Sequence, residues 1–121
     1  MDWITLIIVA GVVLGILVLK QVSFVSAEKA RELLRQGAVV VDVRSAGEFN
    51  SGHLPGAVNI PLGDLGEALP RRLPDKSKVL LLHCLSGARS GIARRQAKGL
   101  GYTAFNLGSY GRADSILRKA S

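Results

Sequence analysis

An α/β domain on a largely parallel sheet, preceded by one transmembrane helix, is the architecture this chain predicts. Three observations carry that expectation. Two short runs, AVVVDVR at 38–44 and KVLLLHC at 78–84, are apolar at nearly every position, as strands buried on both faces are. Helical patterns alternate with these strands, which is the order of strand–helix–strand units around a parallel sheet. Residues 3–19 are different again: uncharged, apolar on every side and followed by Lys20.

The chain has 121 residues, enough for one domain of ordinary size and too few for two. Hydrophobic residues make up 48% despite sixteen Lys and Arg, and the excess lies at the N-terminus. As a helix, residues 3–19 extend about 25 Å, the short end of what spans a bilayer. Trp3 suits one interface and Lys20 can snorkel to the other. A cleaved signal peptide is the competing interpretation, but the basic leader and small-residue cleavage site it needs are missing. Every Lys and Arg follows Leu19, so the positive-inside rule puts the domain in the cytoplasm. The expected organisation is a single-pass membrane protein, with an anchor at 1–20 and a domain at 22–121. Gly11 and Gly15 form a GxxxG, the pattern that lets two such helices pair as a homodimer.

After the anchor, residues 21–26 are a short strand or connector. Ser26 is the expected N-cap of a helix over 27–36, with Glu28 in its first turn and Gly37 as its stop. The strand at 38–44 follows, then a turn-rich stretch at 49–62. A short helix is expected around 64–69, broken by Pro70 and Pro74. The strand at 78–84 ends on Cys84. A helix from about residue 90, stopped by Gly99 or Gly101, leads to a third strand at 103–107 and a closing helix at 111–119.

Cys84 is the only cysteine, so no internal disulfide forms and no oxidising compartment is required. It opens the stretch HCLSGARSG, at the strand end where α/β sheets bind ligands. The ordinary fate of a lone cysteine is burial as a small hydrophobe. Here the following residues argue otherwise. Backbone N–H groups from Leu85 to Ser90 can curl into a nest around the sulfur, ahead of a helix N-terminus. Gly87 permits the turn, and Arg89 adds a fixed forked cation. These features lower a thiol pKa and bind an anion at the same place, so thiolate chemistry on an anionic substrate is expected. From Lys76 to Arg112 the chain carries basic but no acidic side chains. That stretch fits either anion steering or contact with anionic headgroups. Nucleic acid is not an expected partner, since no aromatic platform or recognition motif accompanies the charge.

Three blocks together resemble the rhodanese-like sulfurtransferase domain: VVVDVRSAGEFNSGHLPGAVNIPL, LLLHCLSGARS and GLGYTAFNL. The resemblance implies a parallel sheet of about five strands flanked by helices. It also implies transfer of a sulfane sulfur through a persulfide on Cys84. Backbone groups of Leu85, Ser86, Gly87, Ala88, Arg89 and Ser90 would bind substrate, with Arg89 assisting the anion. Asp42 and Arg44, on one face of a strand, would help hold the loop. Neither a cofactor nor a metal is called for.

Cysteine phosphatases, including those with this fold, place five residues between cysteine and arginine. Here there are four, a tighter cradle that fits one sulfur atom better than a tetrahedral phosphate. Phosphatase or arsenate reductase activity is disfavoured on that count. His83 precedes Cys84 on a strand and points to the opposite face, and His53 lies in a turn, so neither is expected to act as base. Ser109 and Tyr110 replace a family Gly-Gly, and the tryptophan that often follows is absent, which leaves one wall of the site different. Uncharged Leu85 and Ala88 favour a less charged donor than thiosulfate. The partners expected are an anionic sulfur donor, a thiol or cyanide acceptor and, through residues 3–19, the membrane. Two functions remain open: a sulfurtransferase turning over small molecules, and a membrane-tethered persulfide carrier serving a protein partner.

Overall fold

The computed structural model describes residues 2–21 and 23–120, apart from the side chains of 18–21. Asp2 caps the first helix, α1 (Trp3–Gln21), its carboxylate accepting the Thr5 N–H at 2.8 Å. The described side chains of α1 from Trp3 to Leu17 are apolar except for Thr5, and exposed.

Membrane anchoring is overturned: among the described residues, no helix is long and apolar enough to cross a membrane. The single-pass topology and the assignment of the domain to the cytoplasm fall with the span. The homodimer inferred from Gly11 and Gly15 was drawn for two spanning helices and loses that basis with the span. The anchoring role given to the Lys20 side chain, and the domain start at Val22, lie outside the described residues.

Beyond the connector, Ser26 caps α2 (Ala27–Arg35) by accepting the Lys29 N–H, and Gly37 turns the chain at φ +96°. Next come β1 (Val39–Asp42), α3 (Ala46–Ser51) and β2 (Val58–Asn59). A 3₁₀ turn, Leu62–Asp64, runs into α4 (Leu65–Arg72). Then follow β3 (Leu80–His83), α5 (Ala88–Gly99), β4 (Ala104–Gly108) and α6 (Tyr110–Ala120). Two expectations need correction. Pro70 lies inside α4 rather than ending it, since in so short a helix it forfeits only the bond to the Gly66 carbonyl. Helix α5 starts at Ala88, two residues early, which brings its N-terminus onto the cysteine loop.

The sheet is parallel throughout, in the order β2-β1-β3-β4. Among the described residues it has four strands, where the resemblance implied about five. The candidate fifth, the connector before α2, makes one ladder-like bond, from Val25 N–H to the Asn106 carbonyl at 2.9 Å. Alternation along β3 sorts its side chains. Leu80, Leu82 and Cys84 enter the core under α4 and α5, while Leu81 packs on the opposite face with Val40 and Leu107, under α2 and α6. Leu80, Leu81 and Leu82 are fully buried, each contributing about 1.5–3 kcal/mol of hydrophobic stabilisation. That burial holds the end of β3, and therefore Cys84, in place.

Candidate active site

Cys84 is fully buried, at the point where β3 gives way to the loop before α5. Burial by itself opposes ionisation of the thiol. Hydrogen bonds outweigh it: from the Ser90 hydroxyl, then from the backbone N–H groups of Ser90, Gly87 and Ser86. The net effect holds the Cys84 thiol below its ordinary value. Gly87 N–H donates to Sγ at 3.0 Å, and the Ser90 hydroxyl lies 3.4 Å away.

The loop takes this shape for local reasons. Gly87 has φ +102°, a conformation side chains resist. An added Cβ there would also come within 2.6 Å of the Phe24 ring, and at Gly108 within 3.2 Å of the same ring. Phe24 is thus a wall laid across two glycines, with the Arg112 guanidinium 5.2 Å from its ring centre. Across the loop, Ser86 bridges to Ser109, and Tyr110 N–H donates to the Leu85 carbonyl at 3.1 Å. These contacts occupy the place where the family's Gly-Gly and tryptophan were missing.

Asn106 fastens the loop from below. Its side-chain N–H donates to the Gly87 carbonyl at 3.0 Å, and its carbonyl accepts Gly108 N–H at 3.0 Å and the Ser90 hydroxyl at 2.7 Å. Ser90 has one hydrogen to give and three acceptors near it, the third being the Gly87 carbonyl.

Of the residues expected to bind substrate, the structure brings Cys84, Ser86, Gly87 and Ser90 together. Leu85 and Ala88 are exposed on the rim. Arg89 is engaged with Glu48 of α3, at 2.7 and 3.0 Å. Asp42 and Arg44 form a buried, forked ion pair with bonds of 2.8–3.0 Å. Arg44 then donates to the Gly52 carbonyl at 2.8 Å, so the pair directly braces the turn after α3. It approaches the cysteine loop through His83, whose Nε2 lies 3.8 Å from Asp42, and through Tyr110, whose ring centre lies 4.8 Å from the Arg44 guanidinium. His83 faces Tyr110 and Asp42, away from the thiol, as alternation predicts. His53 stacks on Phe49 and bonds to its carbonyl, a structural post.

The basic stretch proves to be largely structural. Lys76, Arg94 and Arg112 donate to the carbonyls of Leu100, Ala104, and Leu107 and Val25. Three site residues escaped the sequence argument: Glu48, Asn106 and Phe24. Glu48 had a signal, since Ser45-x-x-Glu48 is a capping box and marks α3. Asn106 showed only as a polar residue in an apolar strand, and Phe24 had no signal.

A thiolate cradled by backbone N–H groups at the end of a parallel strand defines a class of cysteine-dependent transfer sites. Residues 26–110 match the Rhodanese-like domain family, to which this chain belongs. Thiosulfate sulfurtransferase PspE of Escherichia coli (strain K12) is 35% identical over 63 residues, covering 52% of this chain and 61% of PspE. The chain thus spans about three fifths of that relative. Thiosulfate sulfurtransferase 16, chloroplastic, of Arabidopsis thaliana is 33% identical over 91 residues, covering 67% of this chain and 76% of the relative. Among solved structures, the human single-domain sulfurtransferase TSTD1 superposes with a TM-score of 0.58 at 31% identity, over 81% of this chain and 97% of its own. A rhodanese with anions from E. coli gives 0.60 at 30%, over 63% and 91%.

Proposed function

We propose that the protein is a sulfurtransferase that carries a sulfane sulfur on Cys84. The observation that carries this is the cradle itself: a thiol held below its ordinary pKa by the Ser90 hydroxyl and three backbone N–H groups. The Gly87 N–H and the Ser90 hydroxyl aimed at Sγ support a cradle for negative charge on sulfur. With thiosulfate, the Cys84 thiolate attacks the outer sulfur, a Cys84–S bond forms, and the S–S bond breaks with its electron pair leaving on sulfite. A cyanide or thiolate acceptor then attacks the outer sulfur, and the electron pair returns to Cys84 as thiolate. No proton need be abstracted, which is why His83 and His53 can both be structural.

The relatives named thiosulfate sulfurtransferases support this reaction class. Incubation with thiosulfate should add one sulfur atom to Cys84 by intact mass, and cyanide should remove it. A folded protein that never gained that mass from thiosulfate or an alkyl persulfide would sink the proposal. A second reading, delivery of the persulfide to a protein partner, is favoured by Leu85, which is 59% exposed beside a buried thiol. Saturable turnover of thiosulfate and cyanide favours the enzyme over this carrier.

A further inference from the structure

The one cation expected to receive a donor's charge is already occupied. Arg89 and Glu48 meet fork to fork, a geometry that commits both guanidinium edges on one side. Glu48 is itself held in place, because its Oε1 accepts the Ser45 N–H at 3.2 Å and the Ser45 hydroxyl at 3.1 Å. The Arg89 hydrogen bond first, and the Ser45 backbone next, lower the Glu48 carboxyl to about 2. Glu48 therefore stays ionised at any ordinary working pH. Arg89 nonetheless lies close enough to the thiol to feel the Cys84 charge. Nothing on the loop replaces it, since Leu85, Ser86 and Ala88 are neutral. Nor do the nearby arginines: Arg44 is buried on Asp42, and Arg112 donates to two carbonyls.

Resting on the sulfur-transfer proposal, we infer that Glu48 is a specificity-determining residue that masks Arg89 and so favours persulfide donors over dianionic thiosulfate. A persulfide brings at most one negative charge to the cradle. The Cys84 thiolate attacks the outer sulfur of R–S–SH, the Cys84–S bond forms and the donor's S–S bond breaks. The electron pair leaves on the R-bearing sulfur, which takes the proton and departs as R–SH, and Cys84 keeps the persulfide anion. Thiosulfate must instead bring two negative charges beside the Glu48 carboxylate, with Arg89 already neutralised.

The test compares kcat/KM for thiosulfate and for an alkyl persulfide without carboxylates in the parent, Glu48→Gln, Arg89→Met and the double variant. Glutamine keeps the capping role at this position. Glu48→Gln should raise the thiosulfate-to-persulfide ratio of kcat/KM about five- to tenfold, mainly through the thiosulfate KM. In the double variant that gain should vanish, since the freed arginine is its source. An unchanged ratio in folded Glu48→Gln, or a gain that survives the double substitution, overturns the inference. Should Glu48→Gln fail to fold, Arg89→Met decides. Unmasking the carboxylate must then depress thiosulfate more than the persulfide, and equal losses overturn the inference. Failure of the parent protein to take sulfur on Cys84 from either donor is a separate result, and it overturns the sulfur-transfer proposal instead.

Discussion

Two buried polar clusters stand on opposite faces of the sheet at the C-terminal end of β3, one residue apart in sequence. Around Cys84, the amide of Asn106, the Ser90 hydroxyl and the loop N–H groups satisfy one another and converge on sulfur. Around His83, Asp42 and Arg44 form a strong pair, yet His83 Nε2 has no hydrogen-bond partner. The first cluster directs its hydrogen bonds to one reactive atom. The second braces a turn and leaves one nitrogen of a titratable ring without a partner, the other bonding to the Cys84 carbonyl at 3.2 Å. Chemistry therefore belongs to the first cluster and stability to the second, and each can be broken separately.

The largest effect belongs to Cys84→Ser. The hydroxyl is nearly isosteric but forms no persulfide, so transfer should disappear while circular dichroism and the unfolding midpoint stay close to the parent's. Full activity in that variant would rule out a persulfide on Cys84 as the intermediate. Asn106→Leu comes next. It conserves volume but removes the bonds to Gly87, Gly108 and Ser90. Misplacing two donors at about 1.5 kcal/mol each predicts at least a hundredfold drop in transfer rate. The same change should move the pH midpoint of Cys84 alkylation back up, because the Ser90 and Gly87 donors lose their aim. A purely structural Asn106 would cost stability and leave that midpoint alone.

Asp42→Ala inverts the pattern. It strands a guanidinium whose side chain is 7% exposed, and breaking such a pair costs about 3–5 kcal/mol. Urea unfolding should register that loss, while the alkylation midpoint of the folded fraction should hardly move. If Asp42→Ala shifted thiol reactivity as far as Asn106→Leu does, the two clusters would be one.

The same contrast separates what the sequence disclosed from what it hid. Strands β1 and β3 were legible because burial on both faces demands unbroken apolar runs, and Cys84 was legible because its cradle is local, made within six residues. Asn106 was not, since its partners are brought together by the β3–β4 pairing and no spacing records them. Helix α3 was hidden by its length of six residues, although its capping box was present. The N-terminal run misled in the other direction. Apolar side chains on all faces suggest a span, yet among the described residues no helix is long and apolar enough to cross a membrane. Local chemistry was readable and long-range assembly was not.

The smallest effect tests the second cluster by pH. Burial pushes the His83 ring below its ordinary value of 6.5, and the nearby Asp42 charge only partly opposes it. The folded state therefore keeps His83 neutral in a window where the unfolded chain binds a proton. More protons on the unfolded state means stability rises with pH. The contribution is complete above about pH 6.5 and is lost as pH falls from there towards the folded value, with a slope of at most about 1.4 kcal/mol per pH unit. Glu48 adds little above about pH 5, because its contribution is lost only as pH falls through the ordinary carboxylate value of 4.5 towards its lowered folded value. Urea midpoints at pH 5.0, 6.0 and 7.5 (nominal settings, about one to one and a half units apart) should thus decline towards acid in the parent protein. In His83→Gln the decline should flatten, even though a buried amide lowers stability at every pH. The alkylation midpoint of Cys84 should be unmoved in that variant. An undiminished acid slope in His83→Gln would assign it to other groups, and a shifted thiol midpoint would show that the two faces of the sheet communicate.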